Sequence, residues 1–271
     1  MEETLSKKMP LISVVMANYN NARFLPEAIE SVLVQTYENF EFFIIDDGSE
    51  DGSNETIKKY QLMDSRIRYI QNEKNLGQSQ TRNKALEKAK GEFIAIVDSD
   101  DICLPNRFEE QIKYMEANVD LGVLGTAYII INKEGEQFSS QSVNDPEIMI
   151  RNGRVPVHNP TCMIRRVIFE KYGNFNSHFD YAEDAELYFR WYGQGVRFKS
   201  VNQYLYKYRI HGNNVSTKKI KKQIRLLLSL NLRSIFFYRV KFSLEGYRYI
   251  LEQVFYLGYL SLGLDRIYRK G

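Results

Sequence analysis

Apolar and polar positions alternate along the first hundred residues in blocks that have the lengths of strands and helices. Four short apolar runs, rich in β-branched and aromatic residues, are typical of buried strands. They cover Leu11–Ala17, Phe40–Ile45, Arg66–Gln71 and Phe93–Val97. Because helical stretches separate these runs, the pattern predicts an α/β fold with a mostly parallel, twisted sheet that is covered by helices on both faces.

Helical stretches fill the intervals between the predicted strands. Pro26 opens the first of them, in keeping with the preference for proline in the first helical turn. Ser53 is expected to cap the second helix, since its hydroxyl can accept a hydrogen bond from a free backbone N–H. The third covers Thr81–Lys90, with Gly91 placed to end it, and the fourth covers Pro105–Ala117.

The predicted strands end in polar clusters. Asn18–Asn20 follows the first strand, Asp46–Ser49 the second and Asp98–Asp101 the fourth. In α/β sheets of this kind, ligands bind in the crevice outside the carboxyl ends of the strands. The three clusters are therefore expected to lie along one rim of the sheet and to form a single site.

The carboxylates of Asp98, Asp100 and Asp101 would repel one another unless solvent or a cation neutralised them. Oxygen ligands suit a hard cation such as Mg²⁺ or Mn²⁺, which takes one or two carboxylates together with phosphate oxygens of a substrate. The alternative is a polar loop that caps the helix at Pro105. The position after a buried strand, with a second acidic pair at Asp46–Asp47, favours the metal site.

Two common phosphate-binding motifs do not occur in the sequence. There is no G-x-x-x-x-G-K-[ST], which excludes a P-loop, and no G-x-G-x-x-G follows the first strand, which disfavours a dinucleotide-binding fold. A bound nucleotide would therefore have its diphosphate held largely by a metal ion and by side chains.

The chain has 271 residues, of which 44% are hydrophobic and 26% are charged, a composition typical of a folded protein. Its two cysteines, Cys103 and Cys162, do not make a disulfide framework or a zinc ribbon, so a reducing compartment is expected. No apolar run reaches the roughly 18 residues of a membrane-spanning helix. Residues 1–8 lack the pattern of a signal peptide. A cytoplasmic protein is expected.

Charge is distributed unevenly along the chain. Residues 217–271 carry 12 Lys or Arg and 3 Asp or Glu, whereas residues 1–216 carry a net charge of −6. The basic segment is rich in Leu, Phe and Tyr and predicts an amphipathic helical appendage, for which an anionic membrane surface is the favoured partner. Packing of its apolar side on the body or on a second subunit is the alternative. No nucleic-acid-binding motif accompanies the segment, so nucleic acid is not an expected partner.

Eight short motifs along residues 11–216 together resemble the inverting glycosyltransferases of family 2. In chain order they are LISVVMANYN (11–20), SVLVQT (31–36), IDDGS (45–49), RNKAL (82–86), KGEF (90–93), DSDD (98–101), HNPTCM (158–163) and ED (183–184). Each motif alone is weakly specific, whereas eight in order are specific. The resemblance implies a Rossmann-like GT-A catalytic domain over 1–216, with a nucleotide-binding half at about 11–101 and an acceptor half at about 102–216.

The resemblance also implies roles for single residues. A nucleotide-sugar donor would lie on Ala17, Tyr19, Asp46, Asp47, Arg82, Asp98, Ser99 and His211. Tyr19 would stack on the base, Asp47 would bind the base edge, typically uracil, and Asp46 would shape that pocket. Asp98 and Asp100 would bind the metal cofactor, Mn²⁺ or Mg²⁺.

Glu183 and Asp184 match the catalytic acids of the family, with Asp184 as the general base that takes the acceptor proton. From the residues alone, capping of the helix that follows is at least an equal alternative, because acids are favoured at a helix N-terminus. His211 is weighed evenly between a metal or phosphate ligand and a structural residue. His158 is favoured as structural and His178 as a solvated loop residue.

The sequence therefore predicts an inverting, metal-dependent glycosyltransferase that moves a sugar from a UDP-sugar to a glycan acceptor in surface polysaccharide assembly. The acceptor hypothesis includes a lipid-linked glycan at the inner face of a membrane, where the enzyme would be peripheral. Three alternatives stay open: transfer of one sugar to a polyprenyl phosphate, a sugar nucleotidyltransferase, and a non-catalytic module that binds sugar nucleotides. A glycoside hydrolase also needs two carboxylates, but it needs no nucleotide pocket.

Overall fold

The structure, a computed structural model, describes residues 9–212 and 220–261. Within these ranges nine strands form one sheet. They are β1 (Ile12–Asn18), β2 (Phe40–Asp46), β3 (Ile67–Gln71), β4 (Phe93–Asp98), β5 (Ile102–Cys103), β6 (Leu121–Ile131), β7 (Gln137–Gln141), β8 (Met163–Arg165) and β9 (Arg197–Arg209). All four strands predicted from the first hundred residues are confirmed.

Nine α-helices accompany the sheet in the described ranges. They are α1 (Leu25–Leu33), α2 (Ser53–Met63), α3 (Gln78–Leu86), α4 (Arg107–Ala117), α5 (Pro146–Arg151), α6 (Arg166–Tyr172), α7 (Glu183–Gly193), α8 (Ile220–Phe236) and α9 (Leu244–Ser261). Among these helices, none combines the length and the apolar composition needed to cross a bilayer.

The strand order is β3-β2-β1-β4-β8-β6-β9-β5, with β7 paired to β6. The first four strands are parallel to one another, as predicted. Beyond β4 the pairing is mixed, since β8 runs antiparallel to β4 and β6 while β9 runs parallel to β6. The register sets Asn18 opposite Asp46, and Ala17 opposite Asp98. The polar clusters that follow these strands therefore begin at the same edge of the sheet.

Alternate residues of the same strands are buried on opposite faces of the sheet, which is why the strands are apolar throughout. Val14 and Ala95 pack on one face with side chains of α1, α2 and α4. Val15 and Ile96 pack on the other face with side chains of α3, α6 and α7. Helices cover both faces, in agreement with the predicted layers.

Two local predictions about helix ends are wrong. The N-cap of α2 is Gly52, whose φ is +89°, while Ser53 is the first helical residue and donates a hydrogen bond to Asp51 Oδ1 (2.6 Å). Gly91 does not end α3, because that helix stops at Leu86. A Cβ at position 91 would collide with the backbone N of Ser13, so this glycine is required by a close approach of two chain segments.

The two C-terminal helices pack on the body through one apolar face. Leu230, Phe242 and Ile250 share a core cluster with Ile150 and Phe189. A hydrogen bond from the Tyr238 hydroxyl to Glu186 Oε1 (2.8 Å) joins this hairpin to α7. The sequence left open whether the appendage packs on the body or on a membrane. The apolar face formed by Leu230, Phe242 and Ile250 packs on the body.

At Gly193 the body comes very close to the backbone of the hairpin formed by α8 and α9. A Cβ there would collide with the Tyr238 carbonyl oxygen, and backbone gives way less readily than a side chain. Gly193→Ala should destabilise the protein by about 1–3 kcal/mol. At roughly 2–4 °C per kcal/mol, this lowers Tm by about 2–12 °C.

Differential scanning calorimetry checks this prediction, with limited proteolysis to detect a loosened hairpin. Gln194→Ala, at the next and exposed position, is the matched control and should change stability by no more than about 0.5 kcal/mol. Equal Tm values for the two variants would contradict the predicted close contact.

Candidate active site

Asp46 ties the ends of β1 and β2 together. Its Oδ1 accepts hydrogen bonds from Asn18 Nδ2 (2.8 Å) and Ser49 Oγ (2.6 Å), and its Oδ2 accepts one from the Ser49 backbone N–H (3.0 Å). Gly48 permits this turn because its φ is +75° and because a Cβ there would lie 2.8 Å from the Lys74 carbonyl carbon. The buried Asp46 carboxylate thus fixes the shape of the rim.

Asp47 fastens the segment that follows β3. Its Oδ1 accepts hydrogen bonds from Asn72 Nδ2 (2.8 Å) and from the Leu76 N–H (2.8 Å). Its Oδ2 accepts one from the Gly77 N–H (3.0 Å). Asn72 was not predicted as a site residue, although it stands one residue beyond β3 and the rule that ligands bind at strand ends also applies there.

Three further residues of the predicted donor site lie along the same rim. Tyr19 follows β1 and is 48% exposed. Ala17 is half-buried in β1 and pairs with Asp98 of β4. Ser99 is buried, and its Oγ accepts a hydrogen bond from Asn21 Nδ2 (2.9 Å). The loops after β1 and β4 are therefore joined directly.

Asp98, Asp100 and Asp101 form an acidic triad, in which one oxygen of each carboxylate lies within 4.8 Å of the others. Burial and the neighbouring carboxylates raise the pKa of Asp101 well above its usual range. Burial, with repulsion from Asp100, also raises the pKa of Asp98 despite its pairing with Arg82. Closely spaced oxygen ligands with incompletely compensated charge fit Mg²⁺ or Mn²⁺.

Arg82 connects the triad to the acid pair Glu183–Asp184. Its side chain is 2% exposed, and its two terminal nitrogens donate to Asp98 Oδ1 (2.9 Å) and Glu183 Oε1 (3.1 Å). Burial opposes the charge, but the carboxylates of Asp98, Glu183 and Asp184 outweigh it, so the Arg82 pKa is raised. A permanent cation therefore lies between two acidic groups from distant parts of the chain.

The acid pair begins α7. Glu183 is buried, and its Oε2 accepts a hydrogen bond from the Tyr181 N–H (2.9 Å). Burial, with repulsion from Asp184, raises the pKa of Glu183 to about 7. Asp184 is half-buried, its Oδ1 accepts from the Ala185 N–H (2.7 Å), and burial raises its pKa. The pair therefore stands at a helix N-terminus and also beside Arg82, a placement that is compatible with both interpretations.

Residues at and just after the end of β9 contact the triad. The Arg209 N–H donates to Asp101 Oδ1 (2.7 Å), and Arg209 Nε donates to the Asp100 carbonyl (2.8 Å). His211 Nε2 lies 2.9 Å from Asp100 Oδ2, and its ring lies 4.7 Å from that of Phe24. The structure thus brings His211 to the triad, where it can take part in a metal or phosphate site.

A cavity of about 170 Å³ opens beside His211. It is lined by Asn20, Asn21, Arg23, Phe24, Asp51, Lys133 and His211. Its two permanent cations suit an anionic group such as a phosphate. The sequence predicted neither Arg23 nor Lys133 as a site residue. Arg23 could have been found, since it stands in the segment that follows β1. Lys133 belongs to the turn after β6, and only the tertiary structure brings it to this cavity.

Within the described residues, neither of the other two histidines contacts a carboxylate. The His158 ring stacks on Tyr128, with centroids 4.3 Å apart, and meets the edge of Tyr208 at 5.0 Å. Burial lowers the His158 pKa to about 4, so the ring is neutral at physiological pH. His178 is exposed in a short turn. These placements agree with the structural roles expected for both.

Comparison with known proteins gives the chain a family context. The family model described as Glycosyl transferase family 2 matches residues 13–173. An uncharacterized glycosyltransferase of Methanocaldococcus jannaschii is 37% identical over 221 residues, which cover 79% of this chain and 76% of that protein. The Escherichia coli UDP-Glc:alpha-D-GlcNAc-diphosphoundecaprenol beta-1,3-glucosyltransferase WfaP is 32% identical over 219 residues, which cover 80% of this chain and 84% of that protein.

A solved structure adds the fold. The mannosyltransferase PcManGT from Pyrobaculum calidifontis, in complex with GDP-Man and Mn²⁺, superposes with a TM-score of 0.67 over 92% of this chain and 70% of that one. The two sequences are 18% identical, so the likeness is one of fold.

Glu183 makes the stability of the protein depend on pH. Its pKa is about 7 in the folded state against an ordinary value of 4.5, so the folded state binds more protons between these values and loses stability as pH rises. Glu183→Gln should therefore lose less free energy of unfolding than the wild type between pH 5 and 8. The difference is at most about 1.4 kcal/mol per pH unit.

Urea unfolding at a series of pH values in EDTA measures this slope. The matched control is Glu87→Gln, at an exposed position just after α3, and it should follow the wild type. The same slope for Glu183→Gln and the wild type would show that Glu183 is not the group that titrates.

Proposed function

Because the chain belongs to glycosyl transferase family 2 and is a glycosyltransferase with the predicted GT-A fold, we propose that it inverts the transferred sugar, uses a divalent metal ion and takes a UDP-sugar as donor. The observation that carries the proposal is the buried Arg82, which joins the acidic triad at the end of β4 to the acid pair at the start of α7. Inverting transfer needs both acidic groups in one cleft.

The donor is proposed to lie along the carboxyl ends of β1, β2 and β4. Tyr19, 48% exposed on this rim, would stack on the base, and Ala17 and Ser99 would be further contacts of the donor. Asp47 Oδ2 accepts one hydrogen bond within the protein and so retains a lone pair for an N–H at the base edge. The name of the E. coli relative specifies UDP-Glc, which supports uracil as the base.

Asp98 and Asp100 would hold Mn²⁺ or Mg²⁺, and His211 would support Asp100 or take part in the same site. When bound, such a cation offsets the negative charge that develops on the leaving diphosphate. The charge of the triad and the closeness of its oxygens support this assignment, as does the Mn²⁺ in the complex of the Pyrobaculum calidifontis mannosyltransferase. Arg23 and Lys133, in the cavity beside His211, would face donor phosphate oxygens.

Asp184 is proposed as the general base and Glu183 as a positioning residue. Glu183 is buried and bonded to Arg82, whereas Asp184 is half-buried and would face the second substrate. Asp184 Oδ2 would take the proton of the acceptor hydroxyl while that oxygen bonds to the anomeric carbon. The bond from this carbon to the diphosphate oxygen breaks on the opposite face, and the configuration inverts.

The acceptor is proposed to be a lipid-linked glycan of a surface polysaccharide, reached from the cytoplasm by an enzyme peripheral to the membrane. The name of the E. coli relative specifies a diphosphoundecaprenol-linked sugar, which supports this acceptor class. We assign residues 1–216 to catalysis and the basic region 217–271 to contact with the membrane.

Asp184→Asn tests the catalytic assignment. Removal of the base should lower kcat by about 10²- to 10⁴-fold, while donor binding, measured by isothermal titration calorimetry, stays near the wild-type value. Asp120→Asn is the control and should keep full activity, because Asp120 is an exposed acid just before β6 that pairs with the equally exposed Arg197.

The alternative functions are distinguished by turnover and by the products that the wild type forms. A non-catalytic module would show no turnover for Asp184→Asn to remove. A nucleotidyltransferase would release pyrophosphate from a nucleoside triphosphate, and a polyprenyl-phosphate transferase would put a single sugar on the lipid phosphate. Unchanged kcat in Asp184→Asn would refute the assignment of the base.

Asp100→Asn tests the metal assignment. A donor at 100 times its Kd should stabilise the Mn²⁺-loaded wild type by about 2.7 kcal/mol, a rise in Tm of roughly 5–11 °C. Asp100→Asn, or EDTA with the wild type, should remove most of this rise in a thermal-shift assay, and Asp120→Asn should retain it. A rise that is independent of metal in all three proteins would contradict the metal site.

A further inference from the structure

The hairpin formed by α8, α9 and the residues between them exposes a second set of apolar side chains, apart from those that pack on the body. Phe236 and Phe237 are each 75% exposed, Phe255 is 76% exposed and Leu244 is 88% exposed. No described element covers this face. Exposed apolar residues such as Val119 also occur elsewhere on the surface, but several large ones on one pair of helices are typical of an interaction site.

An apolar groove with a volume of about 430 Å³ opens at the Phe236–Phe237 part of this face. Leu228, Leu232, Phe236 and Leu257 line it, and Arg225 and Arg233 flank it. The groove therefore combines apolar depth with cationic edges. This combination suits an occupant that is apolar inside and anionic at its surface.

The charge around the groove has one dominant sign. Six exposed cations lie on the described part of the hairpin, namely Lys222, Arg225, Arg233, Arg239, Lys241 and Arg248. Its two exposed carboxylates already have partners: Glu252 accepts from Arg248 Nε (3.0 Å) and Glu245 accepts from Asn152 Nδ2 (3.0 Å). The Arg248–Glu252 pair cancels and the Asn152 amide leaves the charge of Glu245 in place, so the six cations and two carboxylates give these exposed side chains a net charge of +4.

We infer that this face of the α8–α9 hairpin is the surface by which the enzyme lies on an anionic phospholipid bilayer. An interfacial helix of this kind inserts Phe and Leu side chains at the level of the headgroups, while Lys and Arg contact anionic lipid. A symmetric dimer through the same face would bring the two sets of cations together. A nucleic acid would meet the cations but would leave the apolar groove without a partner.

The hairpin can transmit this orientation to the site because it is fixed to the body. The Ser243 N–H donates to the Arg151 carbonyl (2.8 Å), and a Cβ at Gly246 would collide with that same carbonyl oxygen. Lys222 Nζ lies 4.3 Å from the centre of the Tyr181 ring, two residues before Glu183. This membrane-binding surface rests on the peripheral location given under the proposed function. Vesicle binding can be measured without any turnover.

Vesicle flotation of the full chain tests the inference, with phosphatidylcholine vesicles that contain or lack 30% phosphatidylglycerol. The wild type should float with the anionic vesicles and stay below with the neutral ones, and salt should weaken binding by screening. Phe236→Ser/Phe237→Ser should lower the partition coefficient about tenfold or more. Arg225→Gln/Arg233→Gln should lower it about thirtyfold, at roughly 1 kcal/mol for each cation.

Leu62→Ser/Met63→Ser is the matched control, because these residues are 90% and 70% exposed at the end of α2 and lie outside the hairpin. It should float like the wild type, and equal Tm values for all variants would exclude unfolding as the cause. Equal binding to both vesicle types, no loss in the hairpin variants, a dimer in light scattering that the Phe variant abolishes, or tighter binding to single-stranded RNA would each overturn the inference. A hairpin variant that loses vesicle binding but keeps turnover on a soluble acceptor separates this surface from the catalytic proposal.

Discussion

A buried guanidinium bonded to two carboxylates is the interaction on which the rest of the site depends. The end of β4 contributes Asp98 and the start of α7 contributes Glu183, and Arg82 of α3 bonds to both. Arg82 and Glu183 are buried and Asp98 is half-buried. Charges in such positions are tolerated only when they are paired, since the loss of one partner would leave an uncompensated charge in the interior. Arg82 therefore restricts where α7 can lie relative to the sheet, and with it the position of Asp184.

The sheet provides the other half of this constraint. Parallel strands in register bring three loops to one edge, where Asn18 bonds to Asp46 and Asn21 bonds to Ser99. The last strand then returns to the same edge, and Arg209 holds the loop that carries the triad. Residues separated by more than a hundred positions thus share one site, with backbone and side-chain hydrogen bonds setting their relative positions.

The sequence predicts the first half of this fold well because its information is local. A buried strand needs a short apolar run, a crossover helix needs an amphipathic stretch, and strand ends in a parallel sheet share an edge. The same rule located the acidic triad and Asp46. Helix ends were less predictable: Gly91 looked like a helix stop, but its reason lies in a contact with Ser13 that no local pattern reveals.

The second half depends on contacts between distant segments, and sequence patterns predicted it less well. The antiparallel insertion of β8 between β4 and β6 rests on pairing of three residues or fewer. Lys133 and the link from Arg82 to Asp98 and Glu183 are products of tertiary packing. The family motifs identified Arg82, Glu183 and His211 as important, but not which atoms they contact.

The most direct test of the account is anomalous diffraction at the manganese edge from crystals grown with Mn²⁺ and UDP. The account predicts one strong peak within coordination distance of Asp98 and Asp100, with the diphosphate beside it and the Asp184 carboxylate open to the same cleft across Arg82. A peak remote from the triad, or a nucleotide in a cavity that Asp184 does not share, would contradict it.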